Sequence, residues 1–347
     1  MNRRDWLKTA SLAITLVFLS AAQPSHVSRP QSVAIRDLVS SSDPLSAQNL
    51  RFDPTFVRLA LEYLQSPDPY ILDQLAKSPA AAHLLNHARN FDYDVPKDST
   101  LALVSHLLQP PGQHIAEIEG CEQSLAFFSG PMLDDPHWVE DALRYLPADF
   151  HFHGTLFLTF GYDIGVAIDS TASLNCARPR FKEHRRELLY YAIHELHHTG
   201  FMTYQPPPKF SEIKTCADLA RLVEYSTQLE GMAVLAAYQR RHDEHALDSD
   251  EDYVALQDQP RLTRDEALYF ADLNSLKARG TEPADADAWA VIHRMSGGER
   301  LWYRVGAMMA QKIEKARGRP ALIELIKQGP QNFLTAYRAI ATPVPAL

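Results

Sequence analysis

His194, Glu195 and His198 stand in the order His-Glu-x-x-His inside the segment Leu188-Leu189-Tyr190-Tyr191-Ala192-Ile193-His194-Glu195-Leu196-His197-His198. On a helix, residues four apart project from one face, one turn above the other. Two imidazoles at that spacing can hold one zinc ion, and the intervening Glu195 can serve as general base toward a water that the metal activates. A hydrolytic zinc takes three protein ligands and leaves one position for water, so a third ligand must come from elsewhere. Glu230 is the choice. Its helical neighbours Ser226, Thr227, Ala233, Val234 and Ala237 are small or apolar, and a carboxylate in that setting needs a compensating charge. Glu224 lies nearer to polar neighbours on the same stretch, and Glu212, Asp218 and His242 are weaker alternatives. The expected complement is one zinc ion per chain.

Hydrolysis also calls for a donor toward the oxyanion, usually a Tyr, His or Arg outside the motif. Tyr303 is the candidate, with Tyr238 and His293 behind it, although an amphipathic helix suits Tyr303 slightly better as a core aromatic. His197 reads as a supporting or packing residue. His83 and His87 share the four-residue spacing but lack a flanking Glu, and His151 with His153 alternate as strand residues do; the first pair reads as ordinary core or surface, the second as a minor metal option. The three cysteines, Cys121, Cys176 and Cys216, form no Cys-x-x-Cys pair, which excludes a zinc ribbon or a thioredoxin-type centre. One disulfide would suit an exported protein, and the spacing alone pairs none of them.

These residues need elements to hold them. From Leu188 the motif segment is apolar nearly all round, so its helix is expected to be buried, with Leu189, Ala192, Ile193 and Leu196 on the core side and Gly200 as its C-terminal stop. Before it, 155–160 and 164–169 read as two strands of a short antiparallel sheet around the turn Gly161-Tyr162-Asp163. After the rigid Pro206-Pro207-Pro208 loop, a long helix over about 212–241 carries Glu230. The acidic stretch 242–262 reads as a surface loop, and helices follow over about 263–277, 284–295, 299–317, 319–327 and 331–341. Upstream, helix starts with Pro, Ser or Asp at their first turns mark helices over 69–77, 79–90 and 98–108, and 113–128 and 136–146 read as two more. The fold class is therefore α+β, predominantly α-helical. Residues 50–148 form a helical N-terminal region and 149–347 the catalytic domain with a helical C-terminal part.

The chain has 347 residues, 46% of them hydrophobic and 22% charged, a globular composition. Its formal net charge of -9 argues against nucleic acid or an anionic membrane as partner. Asn2-Arg3-Arg4-Asp5-Trp6-Leu7-Lys8 resembles a twin-arginine export motif, followed by an apolar run and the small residues Ser20-Ala21-Ala22. Residues 1–22 are expected to be an export signal, 23–49 a polar linker, and the protein periplasmic or otherwise extracytoplasmic, with no stable membrane insertion once the signal is removed.

The His-Glu-x-x-His segment, followed on a later helix by Glu230-Gly231-Met232-Ala233, resembles the gluzincin clan of zinc metallopeptidases. With the 155–169 strands and Tyr303-Arg304-Val305-Gly306, it is similar to a bacterial family of uncharacterised domains described as zinc-dependent peptidases. The resemblance covers roughly residues 150–340. It implies a zincin-like catalytic domain and a peptide or protein substrate paired along the strand at 165–170. The chain departs from thermolysin-like enzymes at Val234, where they carry an Asp that orients the first His; Asp163, Asp169 and Glu224 are the other carboxylates available for that work. It also lacks the Gly-x-Met-x-Asn motif of the aminopeptidase branch. Two other readings use the same residues: a zinc-dependent hydrolase of a non-peptide amide or ester, which a substrate screen would separate, and a non-catalytic helical periplasmic binding protein with a degenerate metal site. The intact Glu195 counts against the second, since a structural zinc has no use for a general base.

Overall fold

The computed structural model describes residues 32–341. The expected export signal lies outside the described residues. Helices dominate, and they pack around one five-stranded sheet: β1 (Val33–Ala34), β2 (Arg51–Asp53), β3 (Thr155–Thr159), β4 (Gly165–Ile168) and β5 (Thr171–Asn175), in the order β1-β2-β3-β5-β4. The α+β, mainly helical class is as the sequence implies. The sheet is mixed, not antiparallel: β2 and β5 both run parallel to β3, and only the outer pairs β1–β2 and β4–β5 are antiparallel. The expected antiparallel partner of β3 is thus displaced. Thr171-Ala172-Ser173-Leu174-Asn175, too polar to stand out as a strand, turns back through Asp169 (φ 54) and inserts between β3 and β4. Its Ser173 and Asn175 are buried because they bond inward, Ser173 Oγ to His83 Nε2 and Asn175 to the 161–162 backbone.

β1 and β2 come from chain that composition marks as lead-in or as the start of the helical region. Ile35, Leu45 and Leu50 are almost fully buried, and Phe52 packs edge-on to Phe128 and against Trp138. A few large apolar side chains thus tie a polar segment to the core.

Many of the upstream helices start as their sequences indicate. Asp68, Ser78 and Ser99 each accept a hydrogen bond from a first-turn amide, two of them just ahead of a proline. The motif helix, Glu187–Tyr204, buries Leu189, Ala192, Ile193 and Leu196. It runs on past Gly200, which is a packing glycine and not a stop. A Cβ there would lie 2.2 Å from Leu146 Cδ1. The next long helix, Cys216–Asp243, opens with a Thr215/Asp218 capping box. The acidic stretch after it is not a surface loop. It forms a helix, Glu251–Gln257, with Asp250 and Asp252 buried among arginines. Its polarity reflects internal ion pairs.

The Cys216–Asp243 helix crosses the helix Leu301–Arg317 at a pair of glycines. A Cβ on Gly231 would lie 2.2 Å from the Gly306 carbonyl carbon, and one on Gly306 would lie 2.3 Å from the Thr227 carbonyl oxygen. Backbones can approach this closely only without side chains. The crossing sets Glu230, one residue before Gly231, beside Tyr303, three residues before Gly306. At the other end the motif helix is clamped to the Cys216–Asp243 helix by Arg241, whose Nη1 and Nη2 donate to Glu187 Oε1 and Oε2 at 2.5 and 2.8 Å. The Arg241 guanidinium lies between the rings of Tyr190 and Tyr253, 4.3 Å from each centroid.

No helix among the described residues is long and apolar enough to cross a membrane. The cysteines also sort themselves. Cys121 and Cys176 are buried with their sulfur atoms in contact, while Cys216 donates to the Pro283 carbonyl oxygen.

Two outcomes test this packing. Gly306→Ala is expected to lower stability by about 1–3 kcal/mol, as overpacking does; a melting temperature equal to the parent's would show that the helices can separate without cost. Treatment with a thiol oxidant is expected to join Cys121 to Cys176 and leave Cys216 a free thiol that alkylates once the chain is unfolded, which peptide mapping under non-reducing conditions reads directly. Mapping that places Cys216 in the cross-link would contradict the arrangement.

Candidate metal centre

His194 and His198 project from the motif helix into a cavity of about 620 Å³, with their ring centroids 4.5 Å apart. Glu230 meets both: its Oε2 lies 3.1 Å from His194 Nε2 and 3.1 Å from His198 Nε2. The three donor atoms all fall within 4.8 Å of one another. Ligands bound to zinc at about 2.0–2.1 Å in a tetrahedron stand about 3.4 Å apart, so two imidazole nitrogens and one carboxylate oxygen here fit a zinc site in both chemistry and spacing. The three side chains are mostly buried, 12%, 8% and 15% exposed in turn.

The electrostatics follow from burial and mutual contact. Burial works against the Glu230 carboxylate, yet the two imidazoles hold its pKa well below the usual range. Burial also opposes the charged form of His198, but Glu230 outweighs it and raises that pKa. For His194, burial and then the His198 charge lower it. In the absence of a cation, burial pushes the Glu195 carboxyl up to about 8. A buried carboxyl that resists ionisation gains its charged form from a neighbouring cation.

Glu195 lies on the flank of the same helix against β4. A Cβ on Gly165 would come within 2.6 Å of Glu195 Oε1, so only glycine leaves room for the carboxylate there. β4 is an edge strand, and Gly165, Val166 and Ala167 line the cavity. Tyr303 lines it too, its ring nearly parallel to that of His194 at 6.4 Å. Burial and the nearby Glu230 raise the Tyr303 phenol well above its ordinary value, so it stays protonated. Tyr238 and His293 are not on this wall.

Glu224 is buried, not exposed, and is paired with Lys277 at 2.5 Å from the helix Gln259–Arg279. None of the three carboxylates considered for orienting a histidine does so. Asp163 accepts hydrogen bonds from the Tyr93 hydroxyl and the Ile164 amide, Asp169 sits exposed in the β4–β5 turn, and Glu224 serves Lys277. His197 is fully buried behind the motif face. His83 and His87 are buried and bond to Ser173 and Tyr162. His151 bonds to Gln48, away from the cluster. Sequence reasoning missed Arg300, whose guanidinium carbon sits 3.9 Å above the Tyr303 ring while Asp252 accepts from its Nε and Nη2. The signal was the spacing Arg300, Tyr303, Arg304, hidden because Asp252 lay in a stretch that reads as loop.

Searches of the curated proteins and of the solved structures each found no match. A scan against protein-family models matches residues 137–345, well over half of the chain, to the family described as "Putative zinc dependent peptidase (DUF5700)". The matched span contains the motif helix, Glu230 and Tyr303. The match covers more than half of the chain, and the two-imidazole, one-carboxylate donor set suits the zinc its description names; the chain belongs to this family.

Proposed function

We propose that the protein is an exported zinc metallopeptidase in which His194, His198 and Glu230 hold the metal and Glu195 is the general base. The observation that carries this is the convergence of the three donors beside a separate, buried carboxylate on the same helix as two of them. A zinc ion bound there supplies a Lewis acid for the substrate carbonyl and lowers the pKa of water toward ~7. Glu195 takes the proton from the attacking water and returns it to the leaving amine, a role that needs a carboxylate near the metal but not bound to it. Tyr303 stands on the cavity wall and donates its hydroxyl to the developing oxyanion.

Peptide is the favoured substrate class over other amides or esters because the free edge of β4 runs beside Glu195. An extended chain can pair with its unbonded amides and carbonyls, which aligns the scissile bond without demanding particular side chains. Export rests on the twin-arginine-like N-terminus, and a folded metalloprotein suits that route.

Glu195→Gln is expected to retain one zinc per chain by metal analysis while peptide hydrolysis falls by about 10²–10⁴-fold; undiminished cleavage would refute the general-base assignment. Glu230→Ala is expected to lose zinc during dialysis that leaves the parent loaded, with a native circular dichroism spectrum. Retention of zinc by that variant would move the third ligand elsewhere. Chelation should abolish cleavage in the parent, and added zinc should restore it.

A further inference from the structure

We infer that the cavity recognises a carboxylate on its substrate through Arg178 and Arg300. Under the peptidase reading, on which the activity arm of the test rests, the preferred peptides carry an acidic group near the cleaved bond. That group is either a free C-terminus or an Asp or Glu side chain.

The arginines of this region divide into two kinds. Arg180, Arg241 and Arg304 are taken up by acids: Arg180 with Asp250 at 3.0 Å, Arg241 with Glu187, and Arg304 with Asp252 at 2.9 Å and Glu251 at 2.9 Å. Arg178 lines the same cavity, is exposed, and has no acid partner among the described residues. Arg300 spends Nε and Nη2 on Asp252 and leaves Nη1 with no protein acceptor among them. Two guanidinium groups with donors to spare therefore face one cavity in a protein whose net charge is -9.

Arg300 is also held for the purpose. Its backbone is left-handed (φ 54), a conformation that costs a side-chain-bearing residue energy and recurs at functional sites. Asp252 fixes one edge of its guanidinium, and the Tyr303 ring supports one face at 3.9 Å. Tyr303 in turn lies 6.4 Å from the His194 ring, so Arg300 and the metal donors share one wall of the cavity. A planar fork fixed in this way suits a carboxylate better than a mobile charge does. Of the other acids on the wall, Asp163 has its oxygens occupied by Tyr93 and the Ile164 amide, Asp250 pairs with Arg180, and Glu251, 3.9 Å from Arg300 Nε, pairs with Arg304. Elsewhere the wall is apolar, with Phe91, Met202, Phe210 and Leu229. The cavity is thus equipped for an anion in one part and for an apolar side chain in another.

The test uses the full zinc-loaded chain and two pairs of fluorogenic peptides. One pair differs only in a free or amidated C-terminus, the other only in Glu or Gln beside the cleaved bond. In at least one pair the acid is expected to be favoured about tenfold in kcat/KM, the scale of one charge-assisted hydrogen bond. The pair that responds identifies the source of the carboxylate. Arg178→Gln, an exposed change that should not disturb folding, is expected to bring that ratio toward one, and Arg300→Gln to do so more strongly. Cleavage with no preference in either pair overturns the inference and leaves the peptidase reading standing. If no peptide is cut, the peptidase reading falls, and binding decides the inference alone. Intrinsic tryptophan fluorescence of the zinc-loaded protein, with Trp302 on the cavity wall, should respond to N-acetylglutamate more than to N-acetylglutaminamide, which carries no carboxylate. Equal responses, or a response unchanged by Arg178→Gln, would overturn it.

Discussion

A buried carboxylate shared by two imidazoles is the constraint on which the rest of the structure depends. Glu230 would be costly to bury alone, and so would a charged His198. Together they offset each other, and a divalent cation among them would satisfy all three donors at once. The surroundings hold this arrangement from both sides. Gly231 and Gly306 let two helices meet at backbone distance and bring Glu230 and Tyr303 to the histidines. Arg241, bonded to Glu187 and layered between two tyrosines, ties the start of the motif helix to the end of the Glu230 helix. A buried ion pair of this kind adds little net stability by itself but penalises any other docking of the two helices.

The sheet supplies what the helices cannot. β4 lies at the edge and passes Glu195 at a glycine, so the proposed general base and an open strand edge are neighbours. Behind β4, the inserted β5 and the parallel β3 make a buried platform against which the strand is fixed. Glu195, the donor cluster and the edge therefore stand on rigid elements, the preorganisation that the proposed hydrolysis calls for.

Much of the site was legible because its signals are local. The four-residue spacing of His194 and His198 needs only a helix to become geometry. Glu230 stood out because small and apolar neighbours announce burial, and a buried acid needs a partner. The elements that resisted reading depend on distant chain. β5 is polar because Ser173 and Asn175 bond to residues far along the sequence, so no local pattern marks it. Asp250 and Asp252 looked like a surface loop for the same reason: their arginine partners arrive from other helices. Glu224 looked exposed from its neighbours, but Lys277 covers it. Gly200 carries the composition of a helix stop, and only the packing of Leu146 reveals why it is glycine.

The central claim is that His194, His198 and Glu230 make one zinc site. Anomalous X-ray diffraction from zinc-loaded crystals, recorded on both sides of the zinc absorption edge, tests it most directly. The account predicts one strong peak per chain, bonded to His194 Nε2, His198 Nε2 and a Glu230 carboxylate oxygen, with Glu195 close by but not coordinated. A peak at other residues, or zinc coordinated by Glu195, would contradict it.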